Sequence, residues 1–293
     1  MLFWYKIFYS FCWLLAFLPL RCLYMMSGLL YVLVYYVVRY RRKVVTDNLR
    51  NSFPEKTERE RQQIARKFYH FFCDLFIETI KLTNIDTPQI HRRIRYSNPE
   101  IFDDLYRKGK QIFFIPGHYG NWEWLATLES TIPYHHATLY HPLKNKLFDK
   151  FFYDLRTKYG TDAFPSNSVI RSINQYRQEN RMTAVCFLAD QSPSSNDTSR
   201  YWTTFLNQDT LVYLGVEKLA RRYNVAVFYY EIRRVKRGYY EVDVTLITEN
   251  AAETAEYEIT NRHVQLLEET IRRNPQYWLW SHKRWKHKRV SDS

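Results

Sequence analysis

The chain has 293 residues and carries 43 Lys plus Arg against 30 Asp plus Glu, a formal charge of +13. That length suits one large domain or two small ones, and a 46% hydrophobic content supplies a core and excludes a disordered chain. Aromatic residues reach 18% against 7 glycines, and neither G-x-G-x-x-G nor G-x-x-x-x-G-K-[ST] is present, which argues against a dinucleotide or NTP machine.

From the amino end, residues 2–20 hold a single charge, Lys6, and residues 22–38 hold none; Pro19 and Arg21 separate the two runs. The second run as a helix is roughly 26 Å long, slightly short of the roughly 30 Å hydrocarbon core of a bilayer. Arg39, Arg41, Arg42 and Lys43 follow at once, a cluster that favours the cytoplasmic side and attracts anionic headgroups. Residues 1–50 are therefore expected to form a membrane anchor, as a helix or a hairpin, with a basic juxtamembrane segment; a buried hairpin of a soluble core is the alternative. Cys12, Cys22, Cys73 and Cys186 lie in apolar stretches without zinc spacing and are expected to be buried thiols in a reducing compartment.

Beyond the anchor, Thr57 and Glu60 form a capping box, and apolar residues from Ile64 to Leu82 follow at three- and four-residue spacing, which predicts a long amphipathic helix. A helix is expected over 98–107 and a short buried strand over 111–115. Further strands are expected at 137–140, 183–188, 225–232 and 240–247, and helices at 146–158, 169–177, 211–223 and 255–273. Strands alternating with helices imply an α/β fold: a mixed, partly parallel sheet flanked by helices.

The run Ile115-Pro116-Gly117-His118-Tyr119-Gly120-Asn121-Trp122-Glu123 concentrates the chemistry. It leads a buried strand into a glycine turn, so His118 stands at a strand's carboxyl end, where open α/β sheets place their sites. Asn121 can cap a following helix, with Glu123 in its first turn. Within a continuous helix a five-residue step separates side chains by roughly 140°, as for His263 and Glu268. The glycines around His118 remove that restriction, so Glu123 can fold back onto the ring, fix its tautomer and leave the other nitrogen free to take a proton from a hydroxyl. The alternative is a turn histidine capping local backbone, with Glu123 merely favourable at a helix start. Nucleophiles are poor: G-x-S-x-G is absent, and Cys186 sits within an apolar strand. His135, His136 and His141 lack metal-ligand spacing, and no metal or cofactor is expected.

These residues resemble a known family. His118-x4-Glu123 is similar to the H-x4-[DE] motif of glycerolipid acyltransferases, in particular the lipid A biosynthesis lauroyl/myristoyl acyltransferases. Residues 48–54 resemble that family's post-anchor segment, and Tyr140-His141-Pro142-Leu143-Lys144-Asn145 its Y-R-P-x-x-N element, with Arg156 at the place of the arginine that follows. Asp190-Gln191 matches its D-Q pair, and residues 275–286 its closing motif. The resemblance implies a glycerolipid-acyltransferase-like fold, an acyltransferase domain over 51–293, and a site on the cytoplasmic side of the cell inner membrane. A fatty acyl chain would move from acyl carrier protein or coenzyme A to a hydroxyl of an anionic glycolipid, a lipid A precursor. His118 and Glu123 would be catalytic, and Asn121, Lys144, Arg156, Asp190 and Gln191 would bind substrate. Arg156 and Lys144 would be oxyanion donors, with Asp190 on the same sheet edge as His118. The rival readings are acyl transfer to another bacterial lipid, such as a lysophospholipid or lipoamino acid, and a non-enzymatic membrane-associated nucleic-acid binder. Trp278, Trp280 and Trp285 interleaved with basic residues permit the latter, but RNP, KH and helix-turn-helix signatures are absent, and no nucleic-acid partner is expected.

Overall fold

The computed structural model describes residues 2–193 and 201–289. Seven strands build the central sheet: β1 (Ile94–Tyr96), β2 (Ile112–Phe114), β3 (His135–Tyr140), β4 (Asp162–Pro165), β5 (Thr183–Cys186), β8 (Ala226–Lys236) and β9 (Tyr239–Thr248). β6 (Tyr201–Phe205) and β7 (Gln208–Val212) form a separate antiparallel hairpin. The sheet order is β1-β9-β8-β2-β5-β3-β4, and every neighbouring pair is parallel except β8 with β9.

The helices are α1 (Leu2–Ala16), α2 (Leu20–Val32), α3 (Arg42–Ser52), α4 (Glu58–Lys81), α5 (Thr87–His91), α6 (Glu100–Arg107), α7 (Lys146–Thr157), α8 (Val169–Gln178), α9 (Gly215–Tyr223) and α10 (Glu258–Arg273). A π turn, Leu33–Val37, continues α2. They cover both faces of the sheet, and strand periodicity divides the core accordingly. Ile112 and Phe114 join one apolar cluster with α4 and α6, while Phe113 and Ile115 join another with α8 and α9. Burial on both faces is why β2 reads as an unbroken apolar run rather than an alternating one. The capping box opens α4: Thr57 N donates to Glu60 Oε2 at 2.8 Å, and Glu60 N to Thr57 Oγ1 at 3.3 Å.

Several expectations shift. The helix expected over 211–223 starts at Gly215, because its first residues pair as β7 with β6. The segment after Asn121 is a 3-10 helix, Trp122–Ser130, not an α-helix. Strands β1 and β4 are only three and four residues long, too short to show a period of their own. Cys12, Cys73 and Cys186 are buried, but Cys22 is exposed, since it lies on the outward face of the first turn of α2.

Candidate active site

β2 and β5 are neighbours, with Phe114 opposite Cys186. Four residues beyond that pair on each strand stand His118 and Asp190, so equal run-outs from adjacent parallel strands bring them together. The strands stay zipped to the end: Phe187 N donates to Phe114 O at 2.8 Å, and Ile115 N to Phe228 O at 2.8 Å.

His118 Nδ1 lies 2.6 Å from Asp190 Oδ1, and His118 N donates to Asp190 Oδ2 at 2.9 Å. Trp278 Nε1 donates to the same Oδ2 at 2.8 Å. The histidine side chain is 15% exposed and that of Asp190 only 1%, so the ring meets solvent while the acid does not. Burial works against the charged carboxylate, yet His118 and the N–H donors outweigh it and hold Asp190 well below the usual carboxylate range. With Nδ1–H donating to this carboxylate, Nε2 keeps its lone pair. Gln191 Nε2 donates to His118 Nε2 at 3.2 Å. The loop carrying Gln191 is held by Ser192 N, which donates to His282 Nε2 at 3.2 Å; burial pulls His282 down to about 4.

The turn itself is clamped from the carboxyl-terminal segment. Gly120 N donates to Tyr277 O at 3.0 Å, and Leu279 N to His118 O at 3.1 Å. Gly120 has φ +63, and a Cβ there would fall 2.5 Å from the Ile232 carbonyl oxygen; β8 passes so close that only glycine fits. The tryptophans of residues 275–286 serve this packing, and so do not form an exposed stacking platform: Trp278 and Trp280 are buried, and Trp285 Nε1 donates to Thr210 Oγ1 at 2.7 Å.

The expected contact between His118 and Glu123 is not formed. Trp122, not Glu123, stands edge-on to the imidazole, with ring centroids 5.2 Å apart. The 3-10 helix begins at once after Asn121, and Glu123 turns to α7, where Arg156 offers a charge-assisted fork: Nη2 donates to Oε1 at 2.7 Å and Nε to Oε2 at 3.1 Å. Trp122 Nε1 adds a bond to Oε1 at 3.1 Å. Arg156 is thus joined to the H-x4-E turn, with its charge stabilised by the Glu123 carboxylate despite burial.

Asn121 caps the 3-10 helix, accepting from Trp124 N at 3.3 Å, while its Nδ2 donates to Glu78 Oε2 at 2.7 Å. Its side chain is therefore turned into the core. Lys144 is exposed in the loop before α7, apart from the His118–Asp190 pair in hydrogen bonding. Cys186 is fully enclosed in β5, and burial pushes its thiol up to about 12.

Glu78 was not singled out in the sequence, and Trp278 was read there only as part of a basic aromatic tail and of the closing motif, not as a partner of Asp190. Glu78, fully buried on α4, accepts from Asn121, from Tyr24 at 2.7 Å and from Tyr240 at 2.6 Å, and burial raises its pKa. An acid in the middle of an amphipathic helix has no local signature of such a role. For Trp278 the signal was present: tryptophan needs a partner for its indole N–H when buried, and the tail is rich in it.

What the arrangement offers is an imidazole with one nitrogen held by a buried carboxylate and the other bonded only to the Gln191 amide, on a turn whose Glu123 clamps the Arg156 cation. Comparison with curated proteins gave no match. Residues 1–287 match the family described as bacterial lipid A biosynthesis acyltransferase. The match spans nearly the whole chain, the hydrophobic amino-terminal helices included, so this protein belongs to the bacterial lipid A biosynthesis acyltransferase family.

Proposed function

We propose that the protein moves a fatty acyl chain from a thioester, carried by acyl carrier protein or coenzyme A, to a hydroxyl of a lipid A precursor at the cytoplasmic face of the inner membrane. The observation that carries this reading is the His118–Asp190 pair at 2.6 Å, which engages Nδ1 and leaves Nε2 to the Gln191 amide. The acceptor hydroxyl gives its proton to Nε2 as its oxygen adds to the thioester carbonyl. Asp190 holds the ring in the needed tautomer and stabilises the imidazolium that forms. The C–S bond then breaks, the ester C–O bond remains, and the proton passes to the departing sulfur.

Gln191 Nε2 stands where the hydroxyl would sit, so substrate replaces that hydrogen bond. Arg156 uses Nε and Nη2 on Glu123, which leaves Nη1 to donate to the oxyanion. In this reading Glu123 orients the cation, and Asp190 orients the base.

The test is lipid mass spectrometry of cells carrying His118→Ala in place of the wild-type chain. The variant is expected to accumulate normally while one lipid class lacks one acyl chain. An unchanged lipid profile would remove His118 from the chemistry.

A further inference from the structure

The two apolar helices at the amino end are bound to the rest of the molecule in a way that bears on how it meets the membrane. Both pack on α4, and α1 also on α7. Tyr5, Cys12 and Ala16 of α1 face inward, as do Leu23, Tyr24 and Ser27 of α2. The inward face is latched by polar bonds. Tyr24 OH donates to Glu78 Oε1 at 2.7 Å, and Ser27 Oγ to Asp74 Oδ1 at 2.6 Å. Arg237 Nη2 donates to Tyr24 O at 3.2 Å, Lys81 Nζ to Leu18 O at 3.2 Å, and Tyr5 OH to Asp154. Asp74, Glu78 and Lys81 belong to α4 and Asp154 to α7, so pulling the hairpin away would take one hydrogen-bond donor from each of the buried acids Asp74 and Glu78.

The outward faces are different. Trp4, Phe11 and Leu14 on α1 and Met25, Leu29 and Val37 along α2 and its π turn are each between 59% and 74% exposed. α1 is 15 residues long and Leu20–Val37 is 18 residues, roughly 22 and 27 Å against a hydrocarbon core of roughly 30 Å. Exposed Arg39, Arg41 and Lys43 stand at the end of the hairpin, a cationic margin beside an apolar surface.

We propose that α1 and α2 form a monotopic hairpin: both lie in one leaflet, the outward face in the acyl chains and the inward face on the catalytic unit, and neither crosses the bilayer. This rests on the membrane-lipid acceptor of the reading above. The occupant is a leaflet rather than a protein, because the exposed face is largely apolar and aromatic, and its exposed charges, Lys6, Arg21 and the Arg39, Arg41 and Lys43 margin, are all cationic and suit anionic headgroups. Glu78 accepts from both Tyr24 and Asn121, so the embedded hairpin is bonded to the turn that carries His118. The height of the imidazole above the lipid is thereby set, and the acceptor reaches it sideways from the same leaflet.

The test uses the full chain with Cys22→Ser, reconstituted in phosphatidylethanolamine–phosphatidylglycerol vesicles. Spin labels are placed singly by Phe11→Cys, Leu14→Cys, Met25→Cys, Leu29→Cys and Val37→Cys. All five positions are on the exposed face, so folding is spared, and collisions with oxygen against a nickel chelate report depth. A monotopic hairpin places all five in lipid on one side of the midplane, with Met25 and Val37 within about one helical turn of each other in depth. A spanning α2 would separate those two by roughly 18 Å along the membrane normal, one on either side of the midplane, and would overturn the proposal. Labels without any lipid contact would overturn it equally. Acyl transfer by the same preparation is scored separately, so failure of the chemistry and failure of the topology are told apart.

Discussion

Glu123 and Arg156 meet between the 3-10 helix and α7 through two hydrogen bonds of 2.7 and 3.1 Å, and this pair takes the acid that follows His118 by five residues. Glu123→Gln leaves the guanidinium without its counter-charge in a site where the acid is 6% exposed. Breaking a buried pair from one side costs about 3 kcal/mol at the low end of the usual range. A melt should show the midpoint falling by several degrees, and Arg156→Met in the same chain should recover part of the loss. A midpoint equal to wild type would mean that the pair is not held in solution.

Asp190→Asn should be the more damaging change for the rate. An asparagine amide can donate to Nδ1, which drives the ring hydrogen onto Nε2 and removes the base; the loss of turnover expected from such a swap is about 10⁴. Single-turnover assays with an acyl thioester and lipid acceptor compare it with Glu123→Gln. If the asparagine variant turned over as fast as wild type, Asp190 would not be orienting the base.

Gly120→Ala tests the clamp behind the turn. The positive φ costs an L-residue about 1–2 kcal/mol, and the contact with the Ile232 carbonyl adds steric strain. The expected outcome is a chain that melts early and loses transfer, whereas Gly109→Ala, also at positive φ but with open space around it, should cost only the conformational part. Equal midpoints for the two variants would refute the steric argument.

His263 is one source of acid sensitivity, alongside the buried His136 and the half-buried His282. Burial on α10 pulls its pKa down to about 4, and its Nε2 has no hydrogen-bond partner among the described residues. The unfolded chain takes up a proton at about pH 6.5 and the folded one only near pH 4, so between these values the unfolded state binds more protons and stability falls as pH falls. Denaturant titrations at pH 5 and pH 6 should show His263→Leu with a slope shallower by about 1.4 kcal/mol per pH unit. Parallel slopes would place the acid sensitivity elsewhere.

Local patterns alone determined much of this protein. The capping box starts α4 where Thr57 and Glu60 stand, because both partners lie within one turn. The strand leading into Pro116-Gly117-His118 is legible because burial on both faces demands an unbroken apolar run. The order of motifs also points to the family, and the apolar start to a hairpin or helix. Which acid pairs with His118 was decided by tertiary structure. Glu123 is near in sequence, but a 3-10 helix and a guanidinium turn it away; Asp190 is remote, but strand pairing of β2 with β5 delivers it. The indole of Trp278, the carboxyl of Glu78 and the inward latching of α2 are likewise contacts between distant segments. Sequence periodicity reports which face of an element is apolar; only the folded chain determines what that face meets.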